Sequence, residues 1–113
     1  MQPNYWQEDI PVAITVTDKD GTIIEMNKKA AAIFENSGGK HLIGRNVKDC
    51  HPEHTHAKID QISQSDQPNI YTIQKGGKRK MIFQTAYFHD GNYNGLVEIS
   101  FEIPDEIPNF NRD

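Results

Sequence analysis

The sequence predicts one α+β domain, in which a five-stranded antiparallel sheet carries short helices packed on one face. Two β-rich segments, residues 12–17 and 22–26, precede a helical pattern, and three more follow at 70–74, 79–88 and 96–103. This order of elements does not fit a right-handed parallel α/β repeat. A length of 113 residues matches a single compact domain.

A hairpin is expected at the start of the domain. The first two β-rich segments flank the sequence DKDG, in which Gly21 can adopt the positive φ that closes a turn. Asn27 follows the second segment, and an asparagine at this place is a good helix N-cap. The first two strands therefore lead directly into a helix.

The helical pattern that begins at Lys28 is short. Ala30, Ile33 and Phe34 follow the spacing i, i+3 and i+4, which is typical of one apolar helix face. Residues 36–39, with the sequence NSGG, end the pattern. Residues 41–49 keep no sustained period, so single helical turns and loop are expected there.

Apolar and polar residues alternate along the last predicted strand. The apolar positions are Val97, Ile99, Phe101 and Ile103, and the polar ones are Glu98, Ser100 and Glu102. This alternation indicates an antiparallel sheet with one covered face, and we expect the apolar positions to meet the core. Two prolines follow, so residues 104–113 are expected to form an extended tail.

Charge and composition restrict the classes of partner. A formal net charge of −4 disfavours a non-specific nucleic-acid binder, which needs a basic surface for phosphate. No stretch approaches the roughly 20 apolar residues of a membrane span, and the first ten residues do not resemble a secretion signal. Cys50 is the only cysteine, which is consistent with a reducing compartment. We expect a cytoplasmic protein that contacts neither membranes nor nucleic acids.

The segment NVKDCHPEHTHAK concentrates residue types that bind metals. If Pro52 is the first helical residue, then His54 and His56 point about 160° apart around the axis and cannot converge on one ion. Zinc usually requires four ligands, and no source of further ligands is evident. We therefore predict no metal site. No orienting group for a Cys50-histidine pair can be named either, so no catalytic residue is predicted, and the reactivity of Cys50 stays open.

The stretch ITVTDKDGTIIEMNKKAAAIFENSGGKHLIGRNVKD resembles the first half of a PAS domain. It has a strand ending in Asp, a DxxG-type turn, a strand ending in Asn27, a helix, and LIGRNV before the next helix. The second half, with GNYNG before LVEIS, is similar to the closing strands of that fold. The resemblance covers residues 9–103, leaving residues 1–8 as an N-terminal segment, and it extends to small bacterial proteins made of a single PAS domain.

The resemblance implies a sensory or signalling role, no enzymatic activity is expected, and two hypotheses follow. In the first, a small ligand occupies a core cavity and shifts the arrangement of the central helices. The expected cavity lining is Ile24, Phe34, Ile43, His56, Ile59, Phe83 and Ile99. In the second, the core is filled, and the exposed sheet face or the segment NYWQED, with Tyr5 and Trp6 as anchors, forms a homodimer or binds a signalling protein in trans.

Cofactors of PAS relatives suggest one further alternative. Haem-binding PAS domains take an axial histidine from the helix that His56 would occupy, so a haem sensor remains an option. The light-sensing branch carries the motif GxNC, but Val47 stands here in place of its cysteine, and Cys50 is three positions late. A flavin photoadduct is therefore not expected, and the cofactor is left unknown.

Overall fold

A computed structural model describes residues 6–50 and 56–113 of the chain. Two strands precede the main helical region, three strands follow it, and the five strands form a single sheet. The elements are α1 (Trp6–Asp9), β1 (Ala13–Thr17), β2 (Ile23–Met26), α2 (Lys28–Ile33), 3-10 helices at Glu35–Ser37, Gly39–Leu42 and Val47–Cys50, α3 (His56–Ser63), β3 (Asn69–Lys75), β4 (Lys78–His89) and β5 (Asn92–Ile103).

All five strands lie in one sheet with the order β2-β1-β5-β4-β3, and every pairing is antiparallel. The predicted fold class is confirmed. The loop between the last two strands is shorter than expected, because β5 already begins at Asn92. Asp90 and Gly91 have φ values of 50° and 80°, which suits a two-residue turn that continues the twist of both strands.

The two faces of the sheet are distinguished by the core. Met26 is 1% exposed and packs in the core cluster beneath α2, so its row of the sheet faces the helices. That row continues from Met26 through Thr15 and Glu98 to Gln84. Because strand side chains alternate between faces, Glu98 lies on this inner face, and its neighbours Val97 and Ile99 lie on the opposite, outer face.

The expectation that the apolar positions of the last strand meet the core is therefore wrong. The polar set around Glu98 faces the helices, whereas Val97, Ile99 and Phe101 face away from them. The alternation itself is as expected, since the strand has one apolar and one polar face. The side that the helices cover is decided by the pairing with β1, whose Ala13 belongs to the core cluster.

The main cluster of buried residues lies at one end of the domain, between β1, β2, α2 and the 3-10 helix Gly39–Leu42. Its buried members are Ala13, Ile23, Met26, Ala30 and Leu42, with Val47 packed against them. Ile62 of α3 and Ile82 and Ala86 of β4 are buried outside this cluster. Of the predicted apolar positions in α2, only Ala30 is buried, while Ile33 and Phe34 are 40% and 38% exposed. Open space remains between these helices and the inner face of β4 and β5.

Asn27 joins three parts of the chain at this core. Its side chain is fully buried, and its Oδ1 accepts from the backbone N–H of Ala30 at 3.0 Å, which caps α2, and from that of Ile14 at 3.0 Å. Its Nδ2 donates to the backbone carbonyls of Gln7 at 2.8 Å and Val12 at 2.7 Å. The predicted N-cap is confirmed, and the same amide also holds α1 and the start of β1.

Gly95 allows β5 to approach β1 closely. It has a φ of 148°, and a Cβ at this position would collide with the backbone carbonyl oxygen of Thr17. Thr17 also accepts, through its hydroxyl, the backbone N–H of Leu96 at 3.0 Å, and the Tyr87 hydroxyl donates to its carbonyl at 3.0 Å. These contacts fix one end of β5 against β1.

We predict that Asn27→Ala lowers the free energy of unfolding by about 3 kcal/mol, because two backbone donors and two backbone carbonyls lose a buried partner. Asn27→Asp should be at least as damaging at pH 7, since a carboxylate cannot donate to the carbonyls of Gln7 and Val12. Protonation restores one donor, so this carboxyl should have a raised pKa in the folded state, and the stability of the variant should fall as pH rises. Urea unfolding followed by circular dichroism at pH 4 and pH 7, beside the wild type, measures both effects. A loss below about 1 kcal/mol for Asn27→Ala would contradict the role of this amide.

Candidate functional site

Open space between the inner face and the helices forms three adjoining compartments, which we call together the inner cavity. The central compartment has a volume of about 60 Å³. A second compartment of about 250 Å³ lies beside Phe34, and a third of about 300 Å³ lies beside Tyr93. Thr15 and Glu98 line both the central and the Phe34 compartments, whereas Ile59 and Leu96 line both the central and the Tyr93 compartments.

The walls of the inner cavity combine apolar and polar residues from both the helices and the sheet, and the lining of the Tyr93 compartment also contains the charged residues Lys19, Asp20, Lys48 and Asp60. Around the central compartment lie Thr15, Thr17, Val47, Ile59, Ile62, Gln84, Leu96, Val97 and Glu98. The Phe34 compartment is lined by Ala13, Thr15, Ile33, Phe34, Tyr71, Ile73, Lys75, Lys80, Ile82, Glu98 and Ser100. Apolar walls with a few directed polar groups are typical of small-molecule sites.

A chain of hydrogen bonds crosses the floor of the cavity. The Asn69 amide donates to Gln84 Oε1 at 2.8 Å, and Gln84 Nε2 donates to Glu98 Oε1 at 2.9 Å. Gln84 Nε2 also lies 3.4 Å from the Tyr71 hydroxyl oxygen. The residues Asn69, Gln84 and Glu98 are direct cross-strand neighbours, so the register of β3, β4 and β5 sets this chain.

Tyr71 responds to the charge of Glu98. Burial is the main cause that raises the pKa of Tyr71 above its usual value, and the negative charge of Glu98 raises this pKa further. The hydrogen bond with Gln84 acts in the opposite direction and lowers the same pKa. The Tyr71 phenol therefore stays neutral at physiological pH and can serve the cavity as a donor or an acceptor.

We predict that Glu98→Gln lowers the pKa of Tyr71 toward about 10, because the variant removes a negative charge that opposes ionisation of the phenol. Ultraviolet absorbance titration at high pH, with Tyr71→Phe to identify the transition of this residue, gives the measurement. Glu102→Gln, on the same strand but outside the cavity lining, is the matched control. Equal shifts in the two variants would contradict the proximity of Glu98 to Tyr71.

Only part of the expected cavity lining lies together. Phe34 and Ile59 both line the inner cavity. Ile24 and Ile43 are 42% and 40% exposed and line none of the three compartments. The expected place of these two residues in the cavity is therefore corrected, because Ile24 lies on the edge strand β2 and Ile43 follows a 3-10 helix.

Phe83 and Ile99 were expected in the cavity and lie elsewhere. They are cross-strand neighbours, and Ile99 also pairs with Ile14, so all three occupy the outer face. The physical reason is the alternation described above, which turns every residue adjacent to Gln84 or Glu98 away from the helices. Whether Phe34 or Ile59 binds a ligand stays a prediction.

His56 begins α3 and is partly buried. Its Nε2 lies 2.7 Å from the backbone carbonyl oxygen of Lys48. Because a carbonyl oxygen only accepts, Nε2 must carry the proton in this contact. His56 lines none of the three compartments, whereas Ile59 and Ile62 of the same helix line the central one.

Residues 51–55 lie outside the described residues, and so do the expectations that fall on them, including the helix cap and the position of His54. The side chain of Cys50 also lies outside the described part of the chain. Among the described residues, no group of three histidine, cysteine, aspartate or glutamate side chains is placed to hold a metal ion.

Sequence reasoning missed the polar floor of the cavity. Its main members are Thr15, Tyr71, Gln84 and Glu98. The sequence contained a signal for these residues. Glu98 lies between the apolar residues of the last strand, and Gln84 is a polar residue between apolar ones in the preceding strand. Because the apolar side chains of these strands were expected to face the helices, the cavity lining was predicted on the opposite face.

The outer face of the sheet carries a patch of ten uncharged residues, with Glu25 and Arg79 at its margins. The patch consists of Ile14, Val16, Ile70, Thr72, Met81, Phe83, Thr85, Val97, Ile99 and Phe101. None of these ten residues is buried, and Ile70 is 55% exposed. Among the described helices, α2 and α3 pack on the inner side and α1 packs against α2, so this face is not their contact surface.

The N-terminal helix α1 is tied to the domain by charged side chains. Lys40 Nζ contacts Glu8 Oε1 at 2.8 Å, and Lys28 Nζ contacts Asp9 Oδ1 at 2.9 Å. Trp6, at the start of α1, is 64% exposed, whereas Tyr5 lies outside the described residues. A dimer contact through this segment stays a prediction.

Comparison with known proteins identifies the fold. Residues 6–99 match the sequence profile of the family described as the PAS fold. The chain belongs to the PAS family. PAS domains serve as sensory and signalling modules, which agrees with the resemblance seen in the sequence. A search of curated proteins found no sequence similar to this chain.

Solved structures of other PAS domains are similar in fold. The PAS domain of the histidine kinase ThkA has a TM-score of 0.64 and 22% identity, with 81% of this chain and 99% of that chain covered. The PAS domain of Bordetella pertussis BvgS has a TM-score of 0.64 and 14% identity, with 87% of this chain and 81% of that chain covered. The Aer2 receptor of Vibrio cholerae, described as a dual PAS-heme oxygen sensor, has a TM-score of 0.61 and 18% identity, with 82% of this chain and 95% of that chain covered. At these identities the likeness shows the fold alone.

Within the described segments, none of the helices of this PAS domain has both the length and the hydropathy needed to cross a membrane.

Proposed function

We propose that this PAS domain is a sensory module that binds a small ligand in its inner cavity and signals as a homodimer formed across its outer face. The observation that carries the proposal is the arrangement of β5. In this strand Glu98 lines the cavity, while its neighbours Val97 and Ile99 alternate onto the outer face, and Val97 also borders the central compartment. Ligand binding and dimer contact would thus act on opposite sides of the same backbone.

The size and chemistry of the inner cavity support a small ligand. Its two larger compartments, at about 250 and 300 Å³, reach the lower end of the volumes found for small-molecule pockets, which is about 300 Å³. The hydrogen-bonded floor around Glu98 supplies polar groups that can fix the orientation of a ligand. A cavity of this kind, beside helices α2 and α3, favours the first of the two sequence hypotheses.

The chemistry of the outer face supports a second copy of the chain as its occupant. The chain has a net charge of −4, so two copies repel each other over most of their surface. The ten residues of the outer-face patch are uncharged, so two such patches can meet by apolar contact, with Glu25 and Arg79 at their margins. An apolar patch left exposed in the single chain is typical of an interaction surface.

The position of β5 offers a route from ligand to dimer. A ligand that contacts Glu98 differently in two arrangements of the strand would shift the balance between them. Any tilt or twist of β5 that moves Glu98 also moves Val97 and Ile99 by a similar distance, because these two residues flank Glu98 in the chain. Sensing would then be read out as a change in dimer affinity or in the shape offered to a signalling protein in trans.

The proposal contains no catalytic step and places the domain in the cytoplasm. The single cysteine supports a reducing compartment. The acidic net charge supports a module that contacts proteins and small molecules and leaves nucleic acids aside.

Haem receives less support than a small organic ligand. The Aer2 receptor is described as a haem sensor, and that description applies to Aer2. In this chain the Nε2 of His56 is engaged with the carbonyl oxygen of Lys48 at 2.7 Å, and His56 does not line the inner cavity. The described residues thus do not fit a haem bound through Nε2 of His56.

We predict that Ile99→Glu converts a dimer in solution into a monomer. A carboxylate at the centre of the outer face would meet its own symmetry copy in an apolar contact, which should weaken association by at least about 100-fold. Ile43→Glu, at a half-exposed isoleucine outside both the outer face and the cavity, is the matched control and should remain dimeric. Sedimentation velocity over a range of concentrations decides the question, and a monomeric wild type or a dimeric Ile99→Glu variant would contradict the proposed interface.

We further predict that benzyl alcohol, a small neutral probe, enters the inner cavity. Backbone ¹H–¹⁵N resonances of Ile62, Leu96 and Glu98 should shift on addition of the probe, and those of the outer-face residues on β5 should shift with them. Thr15→Phe places a ring at the junction of two compartments and should abolish these shifts. Ile43→Phe, at a half-exposed position outside both the cavity and the outer face, is the control that should keep them.

Absence of cavity shifts in the wild type would contradict the ligand-binding half of the proposal. If the dimer result held at the same time, the second sequence hypothesis, a ligand-free interaction module, would take its place.

A further inference from the structure

We propose that the inner cavity selects a small organic cation, such as an amine or an amidine, which donates N–H groups to the Glu98 carboxylate. This inference rests on the proposed function, since it names the chemical class of the ligand for the same cavity. Three observations carry it: the open acceptor positions of Glu98, the fully used hydrogen-bonding groups of Gln84, and the hydroxyl groups around them.

Glu98 has unused capacity as an acceptor. An ionised carboxylate offers about four lone-pair positions. Among the described residues Glu98 receives one side-chain donor, Gln84 Nε2 at 2.9 Å to Oε1, and no lysine, arginine or histidine of the described segments forms a salt bridge with it. A ligand that displaces water from the central compartment must replace the lost donors, or the carboxylate is left unsatisfied.

Gln84 cannot supply further donors or change its orientation without loss. Its Oε1 accepts from Asn69, which fixes the amide nitrogen on the side of Glu98 and Tyr71. Glu98 is an acceptor only, so it enforces the same orientation of the amide. The amide of Gln84 is thereby committed to its neighbours, and Glu98 remains the group on the floor that is open to a ligand.

Neighbouring hydroxyl groups add acceptors for the same kind of ligand. Thr15 and Ser100 line the cavity beside Glu98. Within the described part of the chain, neither side-chain hydroxyl has a hydrogen-bond partner. A charged N–H group near Glu98 can therefore donate to the carboxylate and to one of these hydroxyls together, and charge-assisted hydrogen bonds of this kind are the stronger ones.

The basic residues of the Phe34 compartment lie at its other end. Lys80 pairs with Glu102 in the sheet, which is four residues along β5 from Glu98, or about 13 Å of strand. Lys75 lies at the end of β3 and is exposed. Within the Phe34 compartment an anionic ligand would thus meet the carboxylate of Glu98 at the floor and would find positive charge only toward the mouth. In the Tyr93 compartment Lys48 is paired with Asp60 at 2.6 Å, and Lys19 lies in the same lining as Asp20.

The experiment compares three probes of similar size by ¹H–¹⁵N correlation spectra of the full chain: benzamidine as the cation, benzyl alcohol as the neutral probe and benzoate as the anion. We expect benzamidine to bind at least about tenfold more tightly than benzoate, with shifts at Leu96 and Glu98. Glu98→Gln should remove this preference. Glu106→Gln removes the same charge from the exposed tail and should change nothing.

The possible results are distinguishable. Equal or tighter binding of benzoate at Leu96 and Glu98 would overturn the cation preference while the cavity itself still binds the neutral probe. Shifts by benzoate that are confined to Lys75 and Lys80, with benzamidine at Glu98, agree with the proposal. If none of the three probes binds, the proposed ligand-binding function fails together with this inference.

A further variant guards against a folding defect in Glu98→Gln. Glu98→Asp keeps the charge and shortens the side chain, so it should preserve the order of benzamidine over benzoate. A reversed order in Glu98→Asp would overturn the proposal independently of the glutamine variant.

Discussion

The register between β4 and β5 is the constraint on which the rest of the structure depends. Once Gln84 is opposite Glu98, the period of two along each strand assigns every other side chain of both strands to one of the two faces. The cavity floor and the outer face are thus two results of a single pairing. A slip by one residue would exchange them and bring the apolar residues under the helices.

Packing at the other end of the domain holds this register in place. The buried amide of Asn27 joins α1, β1 and α2, and the close approach of Gly95 to Thr17 holds β5 against β1. The tight core lies here, whereas the cavity lies beneath β4 and β5. A fixed end beside an open end is a suitable arrangement for a module whose central strands respond to a ligand, because the response does not require the core to be rebuilt.

The charge distribution gives the two faces different chemistry. The inner face places a carboxylate in a partly enclosed space, where a charge interacts more strongly than in bulk water. The outer face carries a central patch of uncharged residues, with Glu25 and Arg79 at its margins, and this patch suits association by apolar contact. Because both faces share β5, a change in the charge balance at Glu98 occurs directly beside Val97 and Ile99 in the chain. Such closeness makes a long pathway of coupled residues unnecessary.

Local chemistry determined most of the fold from the sequence alone. The turn residue Gly21, the N-cap Asn27 and the alternation in the last strand are local signals, and they were sufficient for the strand order along the chain and for the PAS family. The functional face was decided by tertiary structure. Alternation in the sequence shows that a strand has two different faces. Only the pairing with β1 and the burial of Ala13 show which of these faces the helices cover. For this reason Phe83 and Ile99, which were expected in the cavity, occupy the outer face, and Gln84 and Glu98 line the cavity beside Phe34 and Ile59.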